Sequence, residues 1–134
     1  MTRRRGLLRT VDCVQLPVSD LDAALAFYRD RLGHELVWRS DAAAAVRLPD
    51  GDAELVLQLE RPEPEVDFLV ASVEQAVVDV VAAGGTVVAP VSDIPVGRVA
   101  RVSDPFGNVL TLIDLSKGRY VTDVDGRVAG VRRA

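Results

Sequence analysis

Four polar side chains occupy matching positions in the two halves of this 134-residue chain: Cys13 matches Glu65, and Gln58 matches Thr111. Among them only Glu65 is a strong carboxylate donor, since Gln58 and Thr111 offer neutral oxygens and Cys13 binds metals only as a thiolate. Leucines flank both Gln58 and Thr111 and form apolar faces, so these two side chains point to the opposite side of their strands. The four paired positions therefore bear most directly on function.

The matching positions come from an internal repeat with a period of about 52 residues. Residues 18–33 read VSDLDAALAFYRDRLG and residues 70–85 read VASVEQAVVDVVAAGG. Each copy has a polar helix-capping residue, an amphipathic stretch and a glycine stop. A second match follows, RLPDGDAELVLQLE at 47–60 and RVSDPFGNVLTLIDL at 101–115. Two copies of one structural unit are expected.

Hydrophobic periodicity predicts the order βαβββ in both copies. Ser19 or Asp20 caps the first helix, Gly33 ends it, and Phe27 and Tyr28 are expected to pack in the core. The predicted elements of the first copy are strands at 11–18, 35–39, 43–48 and 54–60 around a helix ending at Gly33; those of the second are strands at 66–70, 86–89, 97–103 and 108–114 and a helix at 72–83.

These elements predict one domain at 10–116 and a tail. Module one covers 10–60, the proline-rich linker RPEPE covers 61–65, and module two covers 66–116. The tail at 117–134 predicts a β-hairpin around Asp125-Gly126. The expected class is therefore α+β, with two tandem βαβββ modules.

Composition limits the possible partners. Six arginines lie in the two tails, Arg3, Arg4, Arg5, Arg9, Arg132 and Arg133; without them, ten basic residues face twenty acidic ones. A body of net charge −10 argues against nucleic acid and favours a cationic ligand. No apolar run is long enough to span a bilayer, so no membrane partner is expected. A single cysteine excludes an internal disulfide framework and fits a cytoplasmic location.

The motifs VSDLDAALAFYRDRLG at 18–33 and DPFGNVLTLIDL at 104–115 resemble those of the vicinal oxygen chelate superfamily, which includes glyoxalase I, extradiol dioxygenases, fosfomycin-resistance enzymes and bleomycin-resistance proteins. The resemblance covers roughly residues 10–116. It implies that the sheets of both modules form a curved mixed sheet, a cup with its helices outside and its ligand inside.

The resemblance also implies where a metal would bind. Metal-dependent members hold a divalent ion on the first and last strands of each module, usually through histidine and glutamate. In these members the first-strand ligand precedes the helix-capping aspartate and the last-strand ligand follows the turn aspartate, each by a fixed spacing. Counted from Asp20 and Asp104, the corresponding residues here are Cys13 and Thr111, and the repeat adds Glu65 and Gln58. Because this set lacks histidine and has one carboxylate, no metal or other cofactor is expected. A divalent metal on Glu65 with Cys13, Gln58 or Asp67 is the alternative.

Further side chains are expected to face the cup. Arg47 and Arg101 are repeat equivalents that point toward Glu65 and Asp67, either to bind a ligand carboxylate or phosphate or to pair with those acids. Gln15 shares a strand face with Cys13, and Trp38 either stacks on a ligand or packs in the core. Cys13 is either a nucleophile or a buried thiol, and the only histidine, His34, has no evident reason to approach it.

Three functions remain open at this point. The first is metal-independent binding of a small molecule, as in sequestration or resistance of the bleomycin-resistance type. The second is a metal-dependent glyoxalase-like lyase, isomerase or dioxygenase with a reduced ligand set, so enzyme activity is undecided. The third is an interaction module or small regulator. A homodimer is expected for this architecture, with the cup formed either within one chain or across two.

Overall fold

The structure is a computed structural model that describes residues 6–133. Arg3, Arg4 and Arg5 of the basic tail lie outside the described residues. Ten strands and two short helices make up an α+β fold, with the elements in this order: β1 Thr10–Pro17, α1 Leu21–Leu25 continued by a π-helical segment Ala26–Arg31, β2 Leu36–Arg39, β3 Ala43–Arg47, β4 Glu54–Gln58, β5 Glu65–Leu69, α2 Val73–Ala82, β6 Thr86–Ile94, β7 Gly97–Ser103, β8 Val109–Asp114, β9 Arg119–Thr122 and β10 Val128–Arg132.

Eight strands, four from each module, form one curved sheet in the order β2-β3-β4-β1-β5-β8-β7-β6. The two modules meet where β1 pairs antiparallel with β5, with Gln15 opposite Glu65 and Cys13 opposite Asp67. Each module also pairs its first and last strands in parallel, β1 with β4 and β5 with β8. All four positions matched by the repeat therefore lie on the four central strands. Glu65, placed at the end of the linker by its sequence, is the first residue of β5.

Each helix packs on the outer face of its own module. Asp20 caps α1 by accepting a hydrogen bond from the backbone N–H of Ala23 at 3.0 Å, and Ser72 caps α2 in the same way through Gln75. The side chains between helix and sheet form one core in each module. These cores contain Leu21, Leu25, Ala44, Val46 and Leu57 in module one, and Val70, Val73, Ala76, Val102 and Leu112 in module two.

The first helix changes its hydrogen-bonding pattern halfway along. The N–H of Leu32 bonds to the carbonyl of Phe27 five residues back, which widens the helix over Ala26–Arg31. Tyr28 still packs against the module-one core, but the Phe27 side chain is 47% exposed. The expectation that both aromatic residues pack in the core is therefore wrong for Phe27, which lies beside the helix face formed by Leu21, Ala24 and Leu25.

The tail forms the predicted hairpin, with β9 and β10 paired antiparallel as a separate two-stranded sheet. It docks against the β2 edge of module one. The N–H of Arg39 donates to the carbonyl of Gly126 at 2.8 Å, and Trp38 contacts Tyr120 with ring centroids 5.1 Å apart. Gly126 lies so close to Leu36 that an added Cβ would approach its Cδ2 to 2.9 Å. Among residues 6–133, no helix has the length and apolar character needed to cross a membrane.

Candidate functional site

Polar side chains line a row of cross-strand neighbours over the centre of the cup. Cys13, Asp67 and Thr111 form the middle of this row and are all less than 6% exposed. Residues directly opposite each other in a sheet share a face, so the register places the whole row on the concave side. In strand order the row contains Arg47, Glu54, Cys13, Asp67, Thr111 and Arg101.

Glu65 binds two arginines from different parts of the chain. Arg101 of β7 donates from Nε and Nη2 to Glu65 Oε1 at 3.1 and 2.8 Å. Arg61 of the linker places Nη2 3.5 Å from Glu65 Oε2 and also donates to Gln15 Oε1. Burial would raise the pKa of Glu65, but hydrogen bonds from Asp67 and Arg101 and the nearby positive charges lower it below its ordinary value. Glu65 is therefore ionised and paired.

Gln58 is buried, and its side chain forms hydrogen bonds with the backbone at the start of the linker. Its Oε1 accepts hydrogen bonds from the backbone N–H groups of Glu60 and Arg61 at 2.6 and 2.7 Å. Its Nε2 donates to the carbonyl of Arg61 at 2.8 Å. The amide thus satisfies the backbone where the chain turns out of β4, and it fixes the position from which Arg61 reaches the cup.

A second polar group surrounds Asp67. Its Oδ2 accepts hydrogen bonds from Gln15 Nε2 at 2.9 Å and from Cys13 Sγ at 3.3 Å. Its Oδ1 is buried and has no hydrogen-bond partner among residues 6–133. Burial, followed by the neighbouring Glu65, raises the pKa of Asp67 to about 7. A proton on Asp67 shared with Glu65 would satisfy the orphaned oxygen, which agrees with the raised pKa.

Cys13 lacks the features of a nucleophile. Burial raises the pKa of its thiol, and the nearby Asp67 and Asp12 carboxylates raise it further. Its thiol is a hydrogen-bond donor to Asp67, while His34 lies at the surface with Nδ1 3.0 Å from the carbonyl of Arg47. The arrangement keeps the thiol protonated, because burial and the neighbouring carboxyl groups both disfavour a thiolate.

Arg47 lies at the edge of the cup, and Trp38 lies on its concave face next to the tail hairpin. The Arg47 side chain is 54% exposed and pairs with Glu35 at 3.3 Å, not with Glu65 or Asp67. It lies at the edge because β3 is separated from β5 by two intervening strands. Trp38 packs against Val56 and Ala45 on the concave face of module one, and its Nε1 donates to Glu54 at 3.3 Å. It is part of an apolar cluster that the tail hairpin covers.

The sequence did not indicate Arg61 as a site residue. The sequence places Arg61 in the proline-rich linker, and this composition predicts only a spacer. The one available sign was its spacing, since Arg61 precedes Glu65 by four residues and both flank a rigid PEP segment. Glu54 was also missed. Burial raises the pKa of this carboxyl, which lies beside Trp38 and Cys13 in the row across the cup.

The residues present do not fit a divalent metal. Within residues 6–133, no three His, Cys, Asp or Glu side chains are arranged to hold one. Gln58 is bonded to the linker, the Cys13 thiol is protonated, and both oxygens of Glu65 face guanidinium groups. A metal ion requires deprotonated ligands and would be repelled by the two arginines.

Two surface depressions lie outside the cup, both lined by the tail. One of 520 Å³ is bounded by Pro95, Ser116, Lys117, Val131 and Arg133. The other, of 390 Å³, lies between the β2–β3 hairpin and the turn of the tail hairpin, with Glu35, Arg47 and Asp123 among its residues. Neither depression is lined by Glu65, by Asp67 or by the side chains that are hydrogen-bonded to them. The candidate site is therefore the set of polar side chains on the concave face of the sheet.

Comparison with known proteins gives a consistent picture. The sequence profile of the Glyoxalase/Bleomycin resistance protein/Dioxygenase superfamily matches residues 10–112. No curated protein matches the chain. Methylmalonyl-CoA epimerase from Mycobacterium tuberculosis is similar in structure, with a TM-score of 0.70, 19% identity and coverage of 84% of this chain and 92% of that one.

Two further solved structures share the fold. A variant of Streptomyces coelicolor methylmalonyl-CoA epimerase, in complex with 2-nitronate-propionyl-CoA, has a TM-score of 0.65 and 20% identity over 80% of this chain and 97% of that one. A hypothetical protein from Bacillus halodurans has a TM-score of 0.66 and 18% identity over 78% and 93%. At these identities the likeness extends to the fold alone.

Proposed function

The chain belongs to the Glyoxalase/Bleomycin resistance protein/Dioxygenase superfamily, and we propose that it binds a small molecule in its cup without a metal ion. The observation that carries this proposal is the pairing of Glu65 with Arg101 and Arg61. The one strong carboxylate donor of the four repeat-matched positions is thereby neutralised by fixed cations. Such a group has little free charge left to offset the desolvation of a divalent ion.

Gln58 supports the same proposal independently. An amide that coordinates a metal must direct its oxygen into the cup, yet Gln58 Oε1 accepts two backbone hydrogen bonds at 2.6 and 2.7 Å. Redirecting it would break both hydrogen bonds and leave the backbone N–H groups of Glu60 and Arg61 without this partner. The cup therefore favours binding through hydrogen bonds and arginine charge.

The direct test is metal analysis of protein purified without chelators. We expect far less than one equivalent of transition metal per chain, and no rise in the melting temperature with Mn²⁺, Co²⁺, Ni²⁺ or Zn²⁺. A Glu65→Gln variant provides the comparison, with Glu63→Gln as a control, because Glu63 is an exposed linker residue two positions away. One equivalent of metal retained by the wild type and by Glu63→Gln, but lost from Glu65→Gln, would overturn the proposal in favour of a metal-dependent lyase, isomerase or dioxygenase.

A further inference from the structure

Two guanidinium groups in the cup share a single carboxylate. Arg101 and Arg61 both contact Glu65, through Oε1 and Oε2 respectively. No other carboxylate lies within ion-pair distance of either arginine in the described part of the chain. Asp67 does not contribute, because its Oδ2 accepts hydrogen bonds from Gln15 and Cys13 rather than from an arginine. The local contacts therefore leave one positive charge without a partner.

The arginines are also the accessible part of this group. The side chains of Arg61 and Arg101 are 37% and 30% exposed, whereas that of Glu65 is 12% exposed. The Nε of Arg61 is buried and has no hydrogen-bond partner among residues 6–133. A buried donor without a partner is costly, and an oxygen of a bound molecule would satisfy it. A ligand that enters the cup thus meets cationic donors first.

Both guanidinium groups are held in place before a ligand arrives. Gln58 fixes the backbone of Arg61 through hydrogen bonds in both directions. Arg101 lies within β7, paired opposite Thr111 of β8, and two of its nitrogens are bound to Glu65. Groups that are already ordered lose little conformational entropy on binding, which favours recognition of a planar oxyanion.

We propose that Arg61 and Arg101 together bind the carboxylate of a small organic acid in the cup. This inference rests on the proposed metal-free binding and specifies in addition that the ligand is negatively charged. It reverses the preference for a cationic ligand that the acidic body suggests, because a binding site responds mainly to the charges in contact with it, and solvent screens the distant ones. The pKa of about 7 for Asp67 is consistent with it, since a protonated Asp67 adds no negative charge to the cup.

The test uses ligands of equal size and different charge on the chelator-treated protein. Propionate, propionamide and propylammonium form one series, and benzoate, benzamide and benzylammonium another. Nuclear magnetic resonance of arginine Nε–H groups reports the site directly. We expect a carboxylate to shift the signals of Arg61 and Arg101 and to bind about tenfold or more tightly than its amide, the effect of one charge-assisted hydrogen bond.

Three variants sharpen the test. Arg61→Gln and Arg101→Gln should each weaken carboxylate binding about tenfold or more, while Arg98→Gln should leave it unchanged. Arg98 is a suitable control because it lies on the same strand as Arg101 but pairs with Glu74 and Asp93 outside the cup. Carboxylate binding that is insensitive to Arg61→Gln and Arg101→Gln, or no response to any carboxylate, would overturn the inference.

Glu65→Gln separates this inference from the function on which it rests. The amide oxygen can still accept from Arg101, and the lost negative charge leaves both guanidinium charges uncompensated, so carboxylates should bind more tightly. If the amide or the ammonium compound binds the chelator-treated protein best, metal-free binding stands and the anionic ligand is wrong. If ligands bind only after Mn²⁺ or Co²⁺ is added, and Glu65→Gln abolishes that binding, the proposed metal-free function fails as well.

Discussion

Gln58 binds the backbone of Arg61 in both directions, accepting a hydrogen bond from its N–H at 2.7 Å and donating one to its carbonyl at 2.8 Å. The side chain that would coordinate a metal from the last strand of module one instead shapes the start of the linker. The linker in turn directs the Arg61 guanidinium to Gln15 and Glu65. The glutamine at position 58, where a carboxylate would bind metal, therefore helps to hold the Arg61 guanidinium in the cup.

Removal of this amide should loosen the linker and destabilise the fold. Gln58→Ala loses three hydrogen bonds and leaves a cavity at a site that is 2% exposed, so the free energy of unfolding should fall by about 2–4 kcal/mol. Urea unfolding followed by circular dichroism measures the change. Gln58→Glu is the matched comparison, since it retains the two acceptor bonds and, when its carboxyl group is protonated, can also donate to the Arg61 carbonyl, whereas its ionised form places a second oxygen against that carbonyl oxygen. Gln58→Glu should therefore gain stability relative to Gln58→Ala as the pH is lowered, and a difference between the two variants that does not change with pH would contradict the assigned roles of Oε1 and Nε2.

The sequence predicts which side chains face the cup better than it predicts which partners they bind. The repeat pairs Cys13 with Glu65 and Gln58 with Thr111, and strand parity turns Gln58 and Thr111 toward the cup, because apolar alternation is a local property of each strand. The partner of each side chain depends on non-local contacts. The exposed position of Arg47 follows from the order β3-β4-β1-β5, which its own neighbours in sequence do not determine.

The role of Arg61, a loop residue, also depends on contacts that the local sequence does not predict. Proline-rich composition indicates a rigid connection but not where its side chains point. The inward direction of Arg61 results from the hydrogen bonds that Gln58 makes to the backbone of Glu60 and Arg61, whereas strand parity predicts only that Gln58 faces the cup. The widened segment of the first helix was likewise not predictable, since the sequence stripe from Leu21 to Leu32 fits a regular helix.

Asp67 should make stability depend on pH in a defined window. Its pKa is raised from 3.8 to about 7 in the folded protein, by burial and by Glu65. The folded protein therefore holds this proton more tightly than the unfolded chain, so the free energy of unfolding should fall as pH rises from about 4 to about 7 and level off above. An isolated group with this shift contributes on the order of 4 kcal/mol.

Glu65 affects a different range, because its lowered pKa removes stability only as pH falls below about 4.5. Asp67→Asn isolates the contribution of Asp67, since the amide stays neutral at every pH. Urea unfolding of both proteins between pH 5 and pH 8 gives the difference in stability. We expect the wild type to lose stability relative to Asp67→Asn as pH rises through this range, and a difference that stays constant would disprove the raised pKa.

Cys13 should resist modification in the folded protein. Its side chain is 5% exposed, its thiol donates to Asp67, and its pKa is raised, so little thiolate forms even in mildly alkaline solution. Incubation with iodoacetamide at pH 8, followed by intact-mass measurement, should show almost no adduct until urea unfolds the chain. The same reaction in 6 M urea is the control for reagent activity. Complete labelling of the native protein within minutes would contradict both the burial and the hydrogen bond.

The tail hairpin should be detectable through Trp38, the only tryptophan in the chain. Tyr120 of β9 packs on it with ring centroids 5.1 Å apart, and the hairpin is also held by the ion pair of Arg127 with Asp41 at 3.2 Å. Tyr120→Ala should shift the tryptophan emission to longer wavelength, because water replaces the ring beside Trp38, and should lower the free energy of unfolding by about 2–4 kcal/mol.

Tyr120→Phe retains the aromatic contact and removes only the hydroxyl, so both the emission and the stability should stay close to those of the wild type. Arg127→Gln removes an ion pair that is largely exposed and should cost less than about 1 kcal/mol. The emission of Tyr120→Ala should also be the most readily quenched by iodide among the three variants. If its emission and quenching match those of Tyr120→Phe, the hairpin does not cover Trp38 in solution, and the concave face of module one is open to ligands as well.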